Sequence, residues 1–245
     1  MKTYLSLMTF MMEMPLLIEN GEFRLVEDLF PEEKIIKFEE IFAAAANAGF
    51  QWIDVVGNTL QRIGRNRMKH IIDKYNLSIN CIICPAPYAN PEIADEAVIQ
   101  EAKKIIDEAE VYGVKKVMLE LTPAKGSKEE IFRVMVRRFT TLVNYAKEKG
   151  IVCVIEDDPK TNIPLCSSDE IQRVLDQVPD LKVVFDTANM MLAKDAPIDC
   201  YEKLADNVAH VHLKDLKVSQ KNSAMADIAI DGTPYISASH GTGIS

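Results

Sequence analysis

The sequence predicts an α/β fold of the (β/α)8 TIM-barrel type, with the eighth strand and helix missing or truncated at the carboxyl-terminal end. Three observations predict it. A unit of helix, Gly or Asn turn and short β-branched strand recurs along the chain. Strands such as IVCVI and KVVF are apolar throughout, as parallel strands covered on both faces must be. Several strands then end in ligand-type residues, the way an α/β barrel builds a site at its mouth.

The opening MKTYLSLMTFMMEMPLLIE has the apolar bias of a leader, but Glu13 and Pro15 interrupt it and no small-x-small cleavage pattern follows. Residues 4–10 therefore read as a first strand. After Pro31, a residue favoured in a first helical turn, Ile35, Phe38, Ile41, Phe42 and Ala45 fall at helical spacing. The strand QWIDVV follows, with Trp52 assigned to packing and Asp54 to hydrogen bonding at the barrel mouth. Next come IDKYN-LSINCIIC and a long helix over 91–112, whose apolar face is Ile93, Ala97, Ile105, Ala109 and Tyr112 and whose stop is Gly113. The strand KVMLEL carries Glu120 one residue before its end. A helix from about 127 to 149 carries Ile131, Val134, Phe139, Leu142, Val143 and Ala146 and stops at Gly150. Three further strands end in VIED, FDT and HVHLKD, so Glu156, Asp186 and His212 stand at successive strand exits. Residues 216–245 are polar and turn-rich and predict an irregular, partly disordered tail within one barrel domain spanning 1–245; 235–238 is too short to count as an eighth strand.

Composition narrows the function. A net charge of −9 and a pI near 5.1 argue against nucleic-acid and anionic-membrane partners. No apolar run reaches the roughly 18 residues of a membrane span. The basic run with Arg62, Arg65, Arg67, Lys69 and His70 lacks interleaved aromatics and reads as a solvated helix face. Cys81 and Cys84 form a C-x-x-C, yet on a strand positions i and i+3 face opposite ways, so core thiols in a reducing cytoplasm are expected.

The order and separation of AGFQWIDV, VIED, FDTANM, HVHLKD and the closing GTG resemble the xylose isomerase-like TIM-barrel superfamily, specifically its sugar phosphate isomerase/epimerase family. The resemblance implies one divalent metal ion held by Glu156, Asp186 and His212. It also implies a fourth ligand, a strand-eight Glu, that has no counterpart here. His240 would supply that ligand only if its loop folded back. Two carboxylates and an imidazole suit Mn, Co, Zn or Mg rather than a thiolate-selected metal. The implied function is isomerisation or epimerisation of a small sugar or sugar phosphate by proton transfer through a metal-stabilised enediolate, with Glu156 as the catalytic base. Asn189 stands where the family often has a substrate-binding His; an amide can hydrogen-bond a hydroxyl but does not titrate near neutral pH. Asn189, Lys214, Glu120 and His210 are the candidate substrate contacts, although His210 lies a layer deeper and also reads as a hydrogen-bonded core residue.

Each site residue has an ordinary reading too: Glu156 as a solvated strand-end acid, Asp186 as a turn cap aided by Thr187, His212 as a structural imidazole, Lys214 and Asp215 as ion-pair partners. Other functions on this architecture are a metal-dependent lyase or dehydratase, and a catalytically degenerate ligand-binding barrel of weak or absent turnover. A three-metal apurinic endonuclease-like phosphodiesterase fits poorly with only four histidines and an acidic chain. An unclosed barrel edge would favour homo-oligomerisation.

Overall fold

The structure, a computed structural model, describes residues 4–6, 16–19, 22–25, 32–158, 163–219, 226–238 and 241–244, with side-chain detail from residue 38 onward. The strands are β1 (Tyr4–Ser6), β2 (Leu16–Glu19), β3 (Glu22–Leu25), β4 (Trp52–Val56), β5 (Ser78–Ala86), β6 (Lys116–Leu121), β7 (Val152–Glu156), β8 (Lys182–Asp186), β9 (Val208–His212), β10 (Asp215–Val218), β11 (Asp227–Ile228) and β12 (Pro234–Ala238). The helices are α1 (Glu32–Asn47), α2 (Gly57–Ile63), α3 (Arg65–Tyr75), α4 (Asp95–Val111), α5 (Lys128–Glu148), α6 (Ser168–Leu175), α7 (Asn189–Leu192) and α8 (Pro197–Leu204).

Seven strands form one parallel sheet in the order β1-β4-β5-β6-β7-β8-β9, with helices between successive strands. Among the described residues its edges, β1 and β9, are not paired with each other, so the barrel they form is open. Alternation along the strands sorts their side chains into two apolar layers. The larger layer lies between sheet and helices and includes Ile53, Val55, Ile82, Cys84, Val117, Ile155, Val183 and Phe185. The smaller lines the concave inner face: Val56, Cys81, Ile83, Met118, Val154 and Val184. Cys81 and Cys84 thus sit on opposite faces, and all five cysteines are buried thiols.

The helices start and stop where local chemistry dictates. Ser127 and Ser167 accept the backbone N–H of Glu130 and Glu170, each at 3.3 Å, and so cap α5 and α6. Asn76 and Gly150 adopt the left-handed conformation (φ 51° and 65°) that closes α3 and α5. Among the described residues no helix is long and apolar enough to cross a membrane.

Three expectations are corrected. Helix α4 begins at Asp95, so Ile93 precedes it and Ala97 is exposed; the buried stripe runs through Val98, Ile99, Ala102, Ile105, Ile106 and Ala109. The strand over 208–215 stops at His212, and Asp215 opens a strand of another sheet. The tail over 216–245 is not irregular where it is described: β10, β12 and β11 form an antiparallel sheet whose Leu216 and Tyr235 pack with Ala188 and Leu192, on and beside α7. Pattern reading missed it because its strands are short and half-exposed. His240 lies outside the described residues.

Candidate metal centre at the barrel mouth

On the concave face the apolar layer gives way, toward the carboxyl ends of the strands, to acids and imidazoles. Asp186 and His212 are direct partners across β8 and β9, and Val184 and His210 pair one step below. Glu156 ends the neighbouring β7. One ligand atom each from Glu156, Asp186 and His212 lies within 4.8 Å of the others. His212 Nδ1 contacts Glu156 Oε1 directly.

The loops after these strands fix the donors. Asp186 Oδ1 accepts the backbone N–H of Ala188 at 2.7 Å and of Asn189 at 3.0 Å, so it caps α7 with one oxygen. Its Oδ2 is turned to Lys214 Nζ at 3.1 Å. The turn-cap reading of Asp186 therefore holds for Oδ1, and Oδ2 is left on the side of the mouth. Thr187 joins neither: its hydroxyl donates to the Lys214 carbonyl at 2.8 Å and accepts the Lys214 N–H at 3.1 Å, locking the exits of β8 and β9 together. Lys214 Nζ also donates to Asn189 Oδ1 at 2.9 Å, and the Asn189 amide donates to the Asp157 carbonyl at 3.2 Å. Glu156, Asp186, His212, Lys214 and Asn189 therefore form one connected cluster. Glu120, one residue before the end of β6, shares the inward register of Met118, but neither ligand-type grouping among the described residues includes it.

Below the mouth, His210 Nε2 bonds Asp54 Oδ2 at 2.7 Å, and Asn80 donates to Asp54 Oδ1 at 2.9 Å. His210, expected among the substrate contacts, is thus a buried partner of Asp54. Its ring stands edge-on to His212, with centroids 5.0 Å apart. Asp54, His210 and His212 make the second grouping with ligand atoms within 4.8 Å.

Electrostatics follow from this crowding. Burial raises the pKa of Asp54, but the imidazoles of His210 and His212 and the Asn80 amide outweigh it and hold the group below the usual carboxylate range. Burial opposes charge on His212, yet Asp54 and Glu156 outweigh it and raise its pKa to about 10. Burial likewise opposes the Lys214 ammonium, while Asp186 and Glu156 keep it charged. Asp157, which sequence reading passed over, is buried, and among the described residues neither of its carboxylate oxygens has a hydrogen-bond partner. Burial first, then repulsion from Glu156 and Asp186, drives its pKa well above the ordinary carboxylate value.

The donors fit a divalent cation. Two carboxylates and one imidazole converge on a half-buried point, and the hydrogen bonds to Asp186 Oδ1 orient its other oxygen.

Residues 42–233 match the family model described as a xylose isomerase-like TIM barrel. The chain belongs to this family. A curated relative, inosose dehydratase of Clostridium beijerinckii, is 27% identical over 196 residues, which are 74% of this chain and 64% of that protein. The chain thus spans less than two thirds of that relative's length. Among solved structures, the probable 3-DHS dehydratase AsbF of Bacillus anthracis superposes with a TM-score of 0.65 at 16% identity, covering 91% of this chain and 76% of the other. A D-psicose 3-epimerase superposes at 0.62 with 17% identity, covering 76% and 71%. At such identities the structural likenesses establish the fold.

Proposed function

We propose that this chain is a divalent-metal-dependent enzyme that removes a proton from a carbon next to a carbonyl in a small sugar or sugar phosphate, with isomerisation or epimerisation as the outcome. The observation that carries the reading is the convergence of Glu156, Asp186 and His212 at the mouth of the barrel. A cation in that position supplies Lewis-acid polarisation of the substrate's carbonyl and neighbouring hydroxyl oxygens. The remaining chemistry belongs to the side chains. Glu156, at the strand end beside the substrate's C–H bond, accepts the proton. The Lys214 ammonium and the Asn189 amide present donors that fix substrate hydroxyls, and Thr187 holds Lys214 in place. The apolar floor of Val154, Val184 and Met118 excludes water from below.

A second reading is dehydration by the same proton abstraction followed by loss of the adjacent hydroxide. It is favoured by Lys214, an ammonium 3.1 Å from Asp186 and close enough to Glu156 for the two charges to interact, where a leaving hydroxyl would need a proton. The inosose dehydratase relative agrees with it.

Metal analysis of the purified protein tests the shared step. The expected content is one divalent ion per chain, reduced in Asp186→Asn and His212→Ala. Ketoses and inososes incubated with the loaded protein in D2O separate the outcomes. Deuterium at the α-carbon with inverted configuration marks epimerisation, and an absorbing enone marks dehydration. Equal metal content in wild type and both variants would sink the proposal.

A further inference from the structure

We infer that Asp54 is a positioning residue: from one layer below the mouth, its carboxylate holds the His212 imidazole so that Nδ1 is aimed at the point shared with Glu156 and Asp186. The inference rests on the metal-site reading above.

His212 has two ring nitrogens and they face different acids. Nδ1 is on the Glu156 side, and Nε2 lies 3.7 Å from Asp54 Oδ2. An imidazole that ligates through one nitrogen keeps its orientation and tautomer through what the other nitrogen faces. Glu156 and Asp186 arrive on the two strands before β9, but Asp54 comes from β4, the second strand of the sheet order, and reaches His212 across the lumen. The contact exists only because the sheet curls.

Asp54 is itself immobilised. Asn80 holds Oδ1 at 2.9 Å and His210 holds Oδ2 at 2.7 Å. Its side chain is 1% exposed and shares the concave face with Val56, Ile83, Met118, Val154 and Val184. A buried carboxylate costs several kcal/mol in lost hydration, and apolar residues would fill such a layer without that penalty. The one feature the Asp54–Asn80–His210 set adds is a fixed negative group behind His212. His210 serves it twice, by donating to Asp54 and by standing edge-on against the His212 ring. Asp54 Oδ2 is already engaged by His210, so an ion within Asp54, His210 and His212 would have to displace that bond. Two ions per chain are not expected.

The test is zinc binding by competition with a chromophoric chelator, for wild type, Asp54→Asn and His210→Gln, with helical content and thermal midpoint checked for each. Asp54→Asn is isosteric, and its zinc dissociation constant is expected to rise about 10- to 100-fold. In zinc-loaded wild type, long-range 15N–1H correlation spectra should show His212 ligating through Nδ1 with a proton on Nε2. In Asp54→Asn that signature should be lost or mixed. His210→Gln leaves the carboxylate but loosens it, and a smaller weakening with the wild-type signature is expected; this arm decides if Asp54→Asn does not fold. Dissociation constants within twofold of wild type, with unchanged ring-nitrogen signals, overturn the inference and leave the metal site standing. Two zinc equivalents per chain overturn it as well. No zinc bound by wild type removes both the inference and the function on which it rests.

Discussion

Arg138 offers the sharpest test of how the barrel mouth is held. It lies within α5 with a side chain only 1% exposed, and its guanidinium donates to five acceptors. Nε bonds Asp95 Oδ1 at 2.9 Å; Nη1 bonds the carbonyls of Pro87, Tyr88 and Asn90 at 2.8, 3.0 and 2.9 Å; Nη2 bonds the carbonyl of Ile93. Four of the five acceptors are backbone groups of the loop that leaves β5 at the mouth. Arg138→Met keeps most of the buried stem and deletes the donors. Hydrogen bonds to a charged group contribute about 1.5–3 kcal/mol each, and not additively, because part of the loop can turn to water. Asp95 is 32% exposed and keeps its contacts with Arg137, which limits the loss on that side. Removing one partner of a buried charged network costs about 3–5 kcal/mol, and we take that as the expected destabilisation. With a urea slope of about 3 kcal/mol/M, the unfolding midpoint should fall by at least about 1 M. Arg138→Lys supplies one compact ammonium that cannot span all five acceptors, so it should recover less than half of the loss. Equilibrium urea unfolding followed by circular dichroism measures both. A loss below about 1 kcal/mol for Arg138→Met would refute the claim that this guanidinium ties the loop.

Two further outcomes follow from neighbouring contacts. A Cβ on Gly57 would come within 2.7 and 2.8 Å of Ile105 Cδ1 and Cγ2, so Gly57→Ala should destabilise by about 1–3 kcal/mol, with much of that relieved in an Ile105→Ala background; additive costs in the double-mutant cycle would disprove the clash. The Asp95 pKa is lowered in the folded state, first by Arg137 and then by Arg138 against the opposing effect of burial. Its contribution is therefore present above the unfolded carboxylate pKa of about 3.9 and disappears as pH falls through the lower folded value. Asp95→Asn should flatten the acid limb of stability against pH, and parallel limbs for wild type and variant would contradict the assignment.

How much of this could be read from sequence depends on range. The repeating unit exposed β4 to β9 and most helices because their periodicity is local, set by which face of each element is covered. The trio of Glu156, Asp186 and His212 was legible for a related reason: parallel strands in consecutive order bring consecutive strand ends together. The start of α4 was misplaced because Ile93 fits a helical stripe by spacing, although its carbonyl serves Arg138 from outside the helix. The antiparallel sheet of β10 to β12 left too short a pattern to see.

The sequence by itself determined the barrel class and the strand order that brings the ends carrying Glu156, Asp186 and His212 together. Both follow from nearest-neighbour rules of burial and order. Only the tertiary structure decided that Asp54 stands behind His212, that Asp186 splits its oxygens between a helix cap and the mouth, and that Asp157 is buried beside them with both oxygens unpartnered among the described residues. Those relations depend on how tightly the sheet curls and on where the loops turn. Curvature and turning sum small contributions from the whole chain, and no local pattern encodes them.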